Sequence, residues 1–123
     1  MFEVSVQSFF SSAHRLRNYQ GKCEALHGHN WKVEIIVHAS ALNDIGLAMD
    51  FKELKNILND SLAYLDHACL NDLPPFTEKN PSAENIAEHL FGVLREKIKG
   101  ASVSLAKVSV WESENSRASY FEN

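Results

Sequence analysis

The chain has 123 residues, of which 45% are hydrophobic and 23% are charged. This length and composition predict one globular domain over residues 1–123 and exclude a disordered or fibrous chain. Sixteen acidic and twelve basic residues give a net charge of −4, which argues against a nucleic-acid partner because phosphates require a basic surface. No apolar run approaches the roughly 20 residues of a membrane helix, and the N-terminus lacks the pattern of a signal peptide. We therefore expect a cytoplasmic protein with no membrane partner.

Two strands and a helix are predicted in the first half of the chain. Alternating apolar and polar residues predict a strand over about 1–14 and a second strand over about 27–39. Asp50 then precedes apolar residues spaced by three and four. This pattern predicts a helix over about 51–64 with Asp50 as its N-cap.

The second half is predicted to add a helix and two strands. A Pro-containing loop over 70–80 is followed by Pro81, a favourable residue for the first turn of a helix, and by a helix over about 82–99. A strand follows over about 102–112, and a short last strand lies near 119–121. The order β-β-α-α-β-β predicts an α+β fold in which two helices pack on one face of an antiparallel sheet.

Three histidines are predicted to converge where the first two strands meet. His27 and His29 stand two residues apart, so in an extended strand they point to the same side. They share the register of Trp31, while His14 shares the register of the apolar residues in the first strand. Imidazoles on an apolar face require partners, and three converging histidines can share one Zn²⁺. Three ligands leave a fourth position open for water or substrate, which is typical of a catalytic zinc site.

Cys23 leaves a second interpretation of this site open. It lies close to His27 in the sequence and could close a structural zinc site as the fourth ligand. As a free thiol beside a dication, it could instead serve as a base or nucleophile. The sequence by itself does not choose between the two.

Two acidic positions are further candidates. Asp66 precedes His67, and a carboxylate beside an imidazole can orient the ring for proton transfer, although neighbours in sequence need not face each other. Glu112 shares the parity of Val108 and Val110 at the end of the long third strand. A carboxylate on an apolar face requires a cationic or donor-rich partner, unless the strand frays there into the polar turn that follows.

Six segments together resemble the 6-pyruvoyl-tetrahydropterin synthase family over nearly the whole chain. They are residues 10–16, 21–23 with 27–30, 49–51, 65–67, 81–85 and 111–112. The three-residue gap between Cys23 and His27 is similar to the 6-carboxy-5,6,7,8-tetrahydropterin synthase branch, since the pyruvoyl-forming branch usually has a longer gap. A third branch, which makes a folate precursor, carries Glu in the cysteine's role. Glu24 is present here, but Cys23 is present too.

The resemblance implies the tunnelling fold (T-fold), in which subunits join their sheets into a barrel, usually as a hexamer. It implies that His14, His27 and His29 bind zinc. The open zinc position would take the side-chain hydroxyls of 7,8-dihydroneopterin triphosphate, a small-molecule substrate. Ser82 and Ala83 would contact its pterin ring.

The resemblance also assigns the catalytic residues. Cys23 would be the thiolate that transfers protons, and Asp66 with His67 would complete the catalytic set from a neighbouring subunit. Glu112 would anchor the pterin through its ring N–H and amino donors.

Three functions follow as expectations. In the carboxy branch, cleavage of the substrate side chain releases acetaldehyde and triphosphate and leaves 6-carboxy-5,6,7,8-tetrahydropterin for 7-deazaguanine and queuosine biosynthesis. The alternative on the same scaffold is elimination of triphosphate to give 6-pyruvoyl-tetrahydropterin. The third is a non-enzymatic domain stabilised by zinc, with Cys23 as the fourth ligand.

Overall fold

The computed structural model describes all 123 residues and contains five strands and two α-helices. In chain order these are β1 (Phe2–His14), β2 (His27–Ala39), α1 (Phe51–Leu62), β3 (Ala68–Cys69), α2 (Ala83–Arg95), β4 (Val103–Ser113) and β5 (Ser116–Tyr120). Every predicted strand and helix is present, and the α+β class is confirmed. Asp50 caps α1 as predicted, since its side chain accepts a hydrogen bond from the backbone N–H of Lys52.

Two boundaries differ clearly from the prediction, and one short strand was not predicted. α2 ends at Arg95 because the N–H of Lys97 bonds to the Leu94 carbonyl three residues back, which interrupts the α-helical pattern of bonds four residues back. β5 begins at Ser116 because the turn after β4 is tighter than its polar residues indicate. β3 has only two residues, too few for any alternation to reveal it in the sequence.

The strands form one sheet in the order β3-β1-β2-β4-β5. β1 and β2 pair antiparallel along their whole lengths, and β4 and β5 continue the antiparallel pattern. β3 runs parallel to β1, opposite Ser12 and Ala13. The prediction of a purely antiparallel sheet is therefore wrong at this one edge. After α1 the chain returns to the sheet as β3, which runs in the same direction as β1.

Both helices pack on the same face of the sheet. Leu54 and Leu58 of α1 and Leu90 of α2 belong to one continuous apolar core with Trp31 of β2 and Val108 of β4. Each of these side chains is fully buried, and burial of a large apolar side chain contributes roughly 1.5–3 kcal/mol. Neither helix is long and apolar enough to cross a membrane.

Side-chain amides hold the chain where it leaves β1. The N–H of Arg15 donates to Asn71 Oδ1 at 2.9 Å, and Asn71 Nδ2 donates back to the Arg15 carbonyl at 3.0 Å. Asn80 makes the same pair of bonds with Arg17, at 2.8 and 3.0 Å. Each amide satisfies both backbone groups of one residue, as a neighbouring strand would. The segment that follows His14 is thereby fixed against the loop before α2.

His89 of α2 is half-buried between two aromatic rings. Its centroid lies 5.4 Å from the Phe76 ring and 6.1 Å from the Tyr64 ring. Burial, followed by the charge of Lys79, lowers the pKa of His89 below its ordinary value of 6.5.

Acidification is expected to destabilise the fold through His89. The unfolded chain takes up a proton at this histidine near pH 6.5, whereas the folded chain does so only at lower pH, so stability falls as the pH drops through about 6.5. Thermal unfolding at pH 7.5 and 5.5 should show a smaller loss of Tm for His89→Gln than for the unmodified protein. His38→Gln, at an exposed ion pair with Glu3, is the control and should keep the full loss. An equal loss in the His89 variant would contradict this prediction.

Candidate metal centre

Three imidazole rings converge at one end of the sheet. His14 ends β1 and His27 begins β2, and the antiparallel register places them directly opposite each other. His29 lies two residues further along β2 and points to the same side. The ring centroids are 4.7 Å apart for His14 and His27, 4.8 Å for His27 and His29, and 5.2 Å for His14 and His29. The structure thus brings together the three histidines that the sequence pattern selects.

Glu112 of β4 joins this group. It lies in the register irregularity between Trp111 and Ser113, where β4 leaves its regular pairing with β5. Its Oε1 atom is 3.0 Å from His29 Nε2, 3.2 Å from His14 Nε2 and 4.0 Å from His27 Nε2. One ligand atom from each of these four residues lies within 4.8 Å of the others, so the group could hold a metal ion.

Backbone carbonyls fix the orientation of two rings. His14 Nδ1 lies 2.7 Å from the Pro81 carbonyl, and His27 Nδ1 lies 2.9 Å from the Ala25 carbonyl. Since a carbonyl oxygen can only accept, each Nδ1 carries the proton and donates it. A neutral ring in this tautomer presents the Nε2 lone pair to the centre of the group. Such outer partners are what metal-binding histidines ordinarily have.

The donor atoms at the centre of the group suit a positive charge. Lone pairs on Nε2 atoms face a carboxylate oxygen at 3–4 Å, an arrangement that repels unless a proton or cation lies between them. His29 Nε2 is buried without a hydrogen-bond partner, although Glu112 Oε1 is close. Burial lowers the pKa of His29 by more than the Glu112 charge raises it, and this disfavours a protonated ring. A divalent metal ion fits this donor set.

Trp31 forms an apolar floor beneath the group. Its ring meets those of His14 and His29 edge to face, with centroids 4.8 and 5.1 Å apart. Trp31 is fully buried, and its indole N–H donates to the Ser12 carbonyl at 3.2 Å. His14 is only 1% exposed, so one side of the group is closed to water.

Asp66 and His67 face each other but lie outside the metal-binding group. His67 Nδ1 is 2.9 Å from Asp66 Oδ2, and the His67 side chain is 82% exposed. The backbone of His67 has a φ of 54°, and its N–H donates to the Ser11 carbonyl at 2.6 Å. Asp66 Oδ1 accepts from the Ser11 N–H at 2.8 Å. This hydrogen bond, followed by the one from His67, lowers the pKa of Asp66.

Cys23 is exposed in the loop between β1 and β2 and has no disulfide partner. It does not belong to the group that could hold a metal. The fourth residue close to the three histidines is Glu112, not Cys23. The structure therefore does not support a closed zinc site with a Cys23 ligand.

Ser82 and Ala83 lie at the start of α2, next to the carbonyl that orients His14. Ser82 is the N-cap, and its Oγ accepts from the Asn85 N–H at 3.1 Å. Ala83 is 8% exposed. Pro81 was predicted only as a helix-opening residue, and its role as the partner of His14 was missed. Every residue carries a carbonyl, so the sequence holds no signal that selects this one.

The comparisons with known proteins agree with this architecture. A family model described as 6-pyruvoyl tetrahydropterin synthase matches residues 3–123. The chain belongs to the 6-pyruvoyl tetrahydropterin synthase family. The resemblance found in the sequence is thus confirmed.

Two relatives within this family carry different names. The 6-carboxy-5,6,7,8-tetrahydropterin synthase of Synechocystis sp. is 35% identical over 126 residues, covering 98% of this chain and 94% of its own. The 6-pyruvoyl tetrahydrobiopterin synthase of Dictyostelium discoideum is 32% identical over 123 residues, covering 90% of this chain and 89% of its own. The structure of Caenorhabditis elegans 6-pyruvoyl tetrahydropterin synthase matches with a TM-score of 0.84 at 22% identity. The match covers 99% of this chain and 96% of that one. This last match confirms the T-fold.

The geometry predicts that this member of the 6-pyruvoyl tetrahydropterin synthase family binds a divalent metal through His27. Titration with Co²⁺, followed by its visible absorption, should give a saturable tetrahedral or five-coordinate spectrum. His27→Gln should weaken the affinity by at least about tenfold, because it removes one nitrogen ligand. We choose His27 for substitution because its side chain is partly exposed, so that its replacement leaves the core intact.

His38→Gln provides the control for the metal titration. His38 lies on β2 and pairs with Glu3, and it has no place in the metal-binding group. This variant should bind Co²⁺ like the unmodified protein. Equal affinities for all three proteins would contradict a metal site at the three histidines.

Proposed function

We propose that the protein is a zinc-dependent carbon–carbon lyase, a 6-carboxy-5,6,7,8-tetrahydropterin synthase. It converts 7,8-dihydroneopterin triphosphate and water to 6-carboxy-5,6,7,8-tetrahydropterin, acetaldehyde and triphosphate, a step in 7-deazaguanine and queuosine biosynthesis. The observation that carries the proposal is the convergence of the His14, His27 and His29 Nε2 atoms within a family of tetrahydropterin synthases. The similarity to the Synechocystis relative and the short gap between Cys23 and His27 support the carboxy branch.

Zinc held by the three histidines would polarise the side-chain hydroxyls of the substrate and ease their loss of a proton. The protein prepares this position before substrate arrives. The Pro81 and Ala25 carbonyls hold two of the rings in the tautomer that presents Nε2. Trp31 closes the site on one side, and a lower local dielectric strengthens every electrostatic contact to the substrate.

Glu112 is proposed to anchor the pterin ring. Its side chain is 39% exposed, more than the side chains of His14 and His29. With a cation at the Nε2 atoms, the carboxylate is free to accept hydrogen bonds from the pterin ring N–H and amino group. Two such bonds to a charged carboxylate are stronger than hydrogen bonds between neutral groups. Ser82 and Ala83, at the N-terminus of α2, are proposed to contact the same ring through a hydroxyl and a backbone group.

Cys23, Asp66 and His67 are proposed as the proton-transfer residues. Cys23 is exposed in the loop that leads to His27, and its thiol is proposed to reach the substrate side chain. Asp66 accepts from His67 Nδ1 and so leaves His67 Nε2 free to exchange a proton with substrate.

We further propose that His67 serves the metal site of a neighbouring subunit. Its ring is 82% exposed and lies outside the metal-binding group of its own chain. The sheet ends in β3 on one side and β5 on the other, and such strand edges can pair with other copies. A homo-oligomer, a hexamer as the family resemblance implies, would bring the two parts together. The free thiols of Cys23 and Cys69 suit a reducing compartment, and we place the reaction in the cytoplasm.

The second candidate is 6-pyruvoyl-tetrahydropterin synthesis by elimination of triphosphate. The similarity to the Dictyostelium relative favours it. The two reactions share a substrate and differ in their products, so product analysis separates them.

The proposed reaction is tested by incubating the zinc-loaded protein with 7,8-dihydroneopterin triphosphate and identifying the products by mass spectrometry. We expect acetaldehyde and 6-carboxy-5,6,7,8-tetrahydropterin in equal amounts. Formation of 6-pyruvoyl-tetrahydropterin would instead assign the chain to the second candidate. Unchanged substrate with the zinc-loaded protein would refute both.

Mixed oligomers test the sharing of residues between subunits. Cys23→Ala should keep the fold and the metal but lose turnover, and so should His67→Asn, because Asn tolerates the positive φ at this position. Co-assembly of equal amounts of the two inactive variants should restore about one quarter of the activity. A site is intact only when one variant supplies Cys23 and the other supplies His67, which is one of the four possible combinations. Activity that stays absent in verified mixed oligomers would show that each chain uses its own His67.

A further inference from the structure

We propose that Glu24 is a positioning residue and not a second proton-transfer group. It holds residues 18–25, here called the Cys23 loop, against the chain that leaves β1. The catalytic consequence of this role rests on the proposed function of Cys23. The contacts themselves do not depend on it.

Glu24 binds both backbone groups of one residue. Its Oε1 accepts from the Leu16 N–H at 2.9 Å, and its own N–H donates to the Leu16 carbonyl at 3.0 Å. Leu16 lies two residues beyond His14, within the segment that Asn71 and Asn80 hold on either side. Glu24 therefore ties the Cys23 loop to a segment that two amide side chains already hold.

Residues 18–23, which precede Glu24 in this loop, make few hydrogen bonds. Asn18 and Gln20 have positive φ angles of 62° and 51°, conformations that cost energy for residues other than glycine. The N–H of Lys22 bonds within the loop, to the Tyr19 carbonyl at 3.0 Å. Cys23 thus lies between a local turn and the Glu24 attachment. Loss of that attachment would free the thiol to move.

Glu24 also stands one residue before the carbonyl that orients His27. Ala25 supplies this carbonyl to His27 Nδ1 at 2.9 Å. A fixed Glu24 backbone therefore places the thiol of Cys23 on one side and the acceptor for a proposed metal ligand on the other.

The contact requires only an acceptor oxygen at Oε1. A glutamine side chain supplies such an oxygen and has nearly the same shape, but it cannot take up a proton as a base. Glu24→Gln should therefore keep the attachment, whereas Glu24→Ala removes it. A proton-transfer role would make the two variants equally defective.

The attachment is tested first without substrate. Hydrogen exchange at the Leu16 amide, followed by NMR on the zinc-loaded protein, should accelerate at least about tenfold in Glu24→Ala and stay close to the unmodified rate in Glu24→Gln. Iodoacetamide labelling of Cys23, read by peptide mass spectrometry with Cys69 as the internal reference, should change in the Ala variant only. Glu78→Ala, at an exposed glutamate outside the site, is the control. Unchanged exchange and labelling in Glu24→Ala would overturn the proposal.

Turnover then separates positioning from proton transfer. We expect kcat to fall about tenfold to a hundredfold in Glu24→Ala with KM and zinc content little changed, because a displaced catalytic group slows the reaction. Glu24→Gln should restore kcat to within about twofold, with the pH profile of the unmodified protein. Equal loss in both variants, with a lost limb in the pH profile, would refute positioning. If even the unmodified protein lacks turnover, the proposed function fails, and the exchange and labelling results still decide the role of Glu24.

Discussion

The pairing of β1 with β2 down to His14 opposite His27 is the constraint on which the site depends. This register puts His14, His27 and His29 on the face that also carries Trp31. A shift of one residue would turn every side chain of a strand to the other face and separate the ligands. Thirteen paired residues and a shared apolar core make such a shift costly. The same hydrophobic pattern that stabilises the sheet therefore also assembles the metal-binding group.

Polar contacts take over where the apolar core ends. The chain beyond His14 has no neighbouring strand, and Asn71, Glu24 and Asn80 satisfy the backbone groups of three consecutive residues there. Such bonds are directional, so they fix the positions of the groups that follow more tightly than apolar contacts do. The Pro81 carbonyl belongs to the same arrangement, because Asn80 precedes it and α2 follows it. Local rigidity at this end thus comes from hydrogen bonds, and the helices supply the general stability.

The chain carries two chemically distinct groups that do not meet within it. The three histidines and Glu112 form one group, and the exposed pair of Asp66 and His67 forms the other. The backbone N–H of Ser11 in β1 donates to Asp66, and the same strand ends at His14. β1 therefore holds both groups at a fixed spacing. The proposed sharing of a site between two copies of the chain rests on that spacing.

The sequence determined four of the five strands, both helices, the shared face of the three histidines and the family. These properties depend on local alternation, helical spacing and motif order, all of which can be read along the chain. Only the tertiary structure decided that Glu112 lies against His14 and that Pro81 orients the same ring, because these residues are 98 and 67 positions away from it. The parallel edge strand and the contact between Asp66 and His67 were likewise settled by packing and by one backbone angle. Periodicity tells which way a side chain points, but only the packing of distant segments determines what it meets.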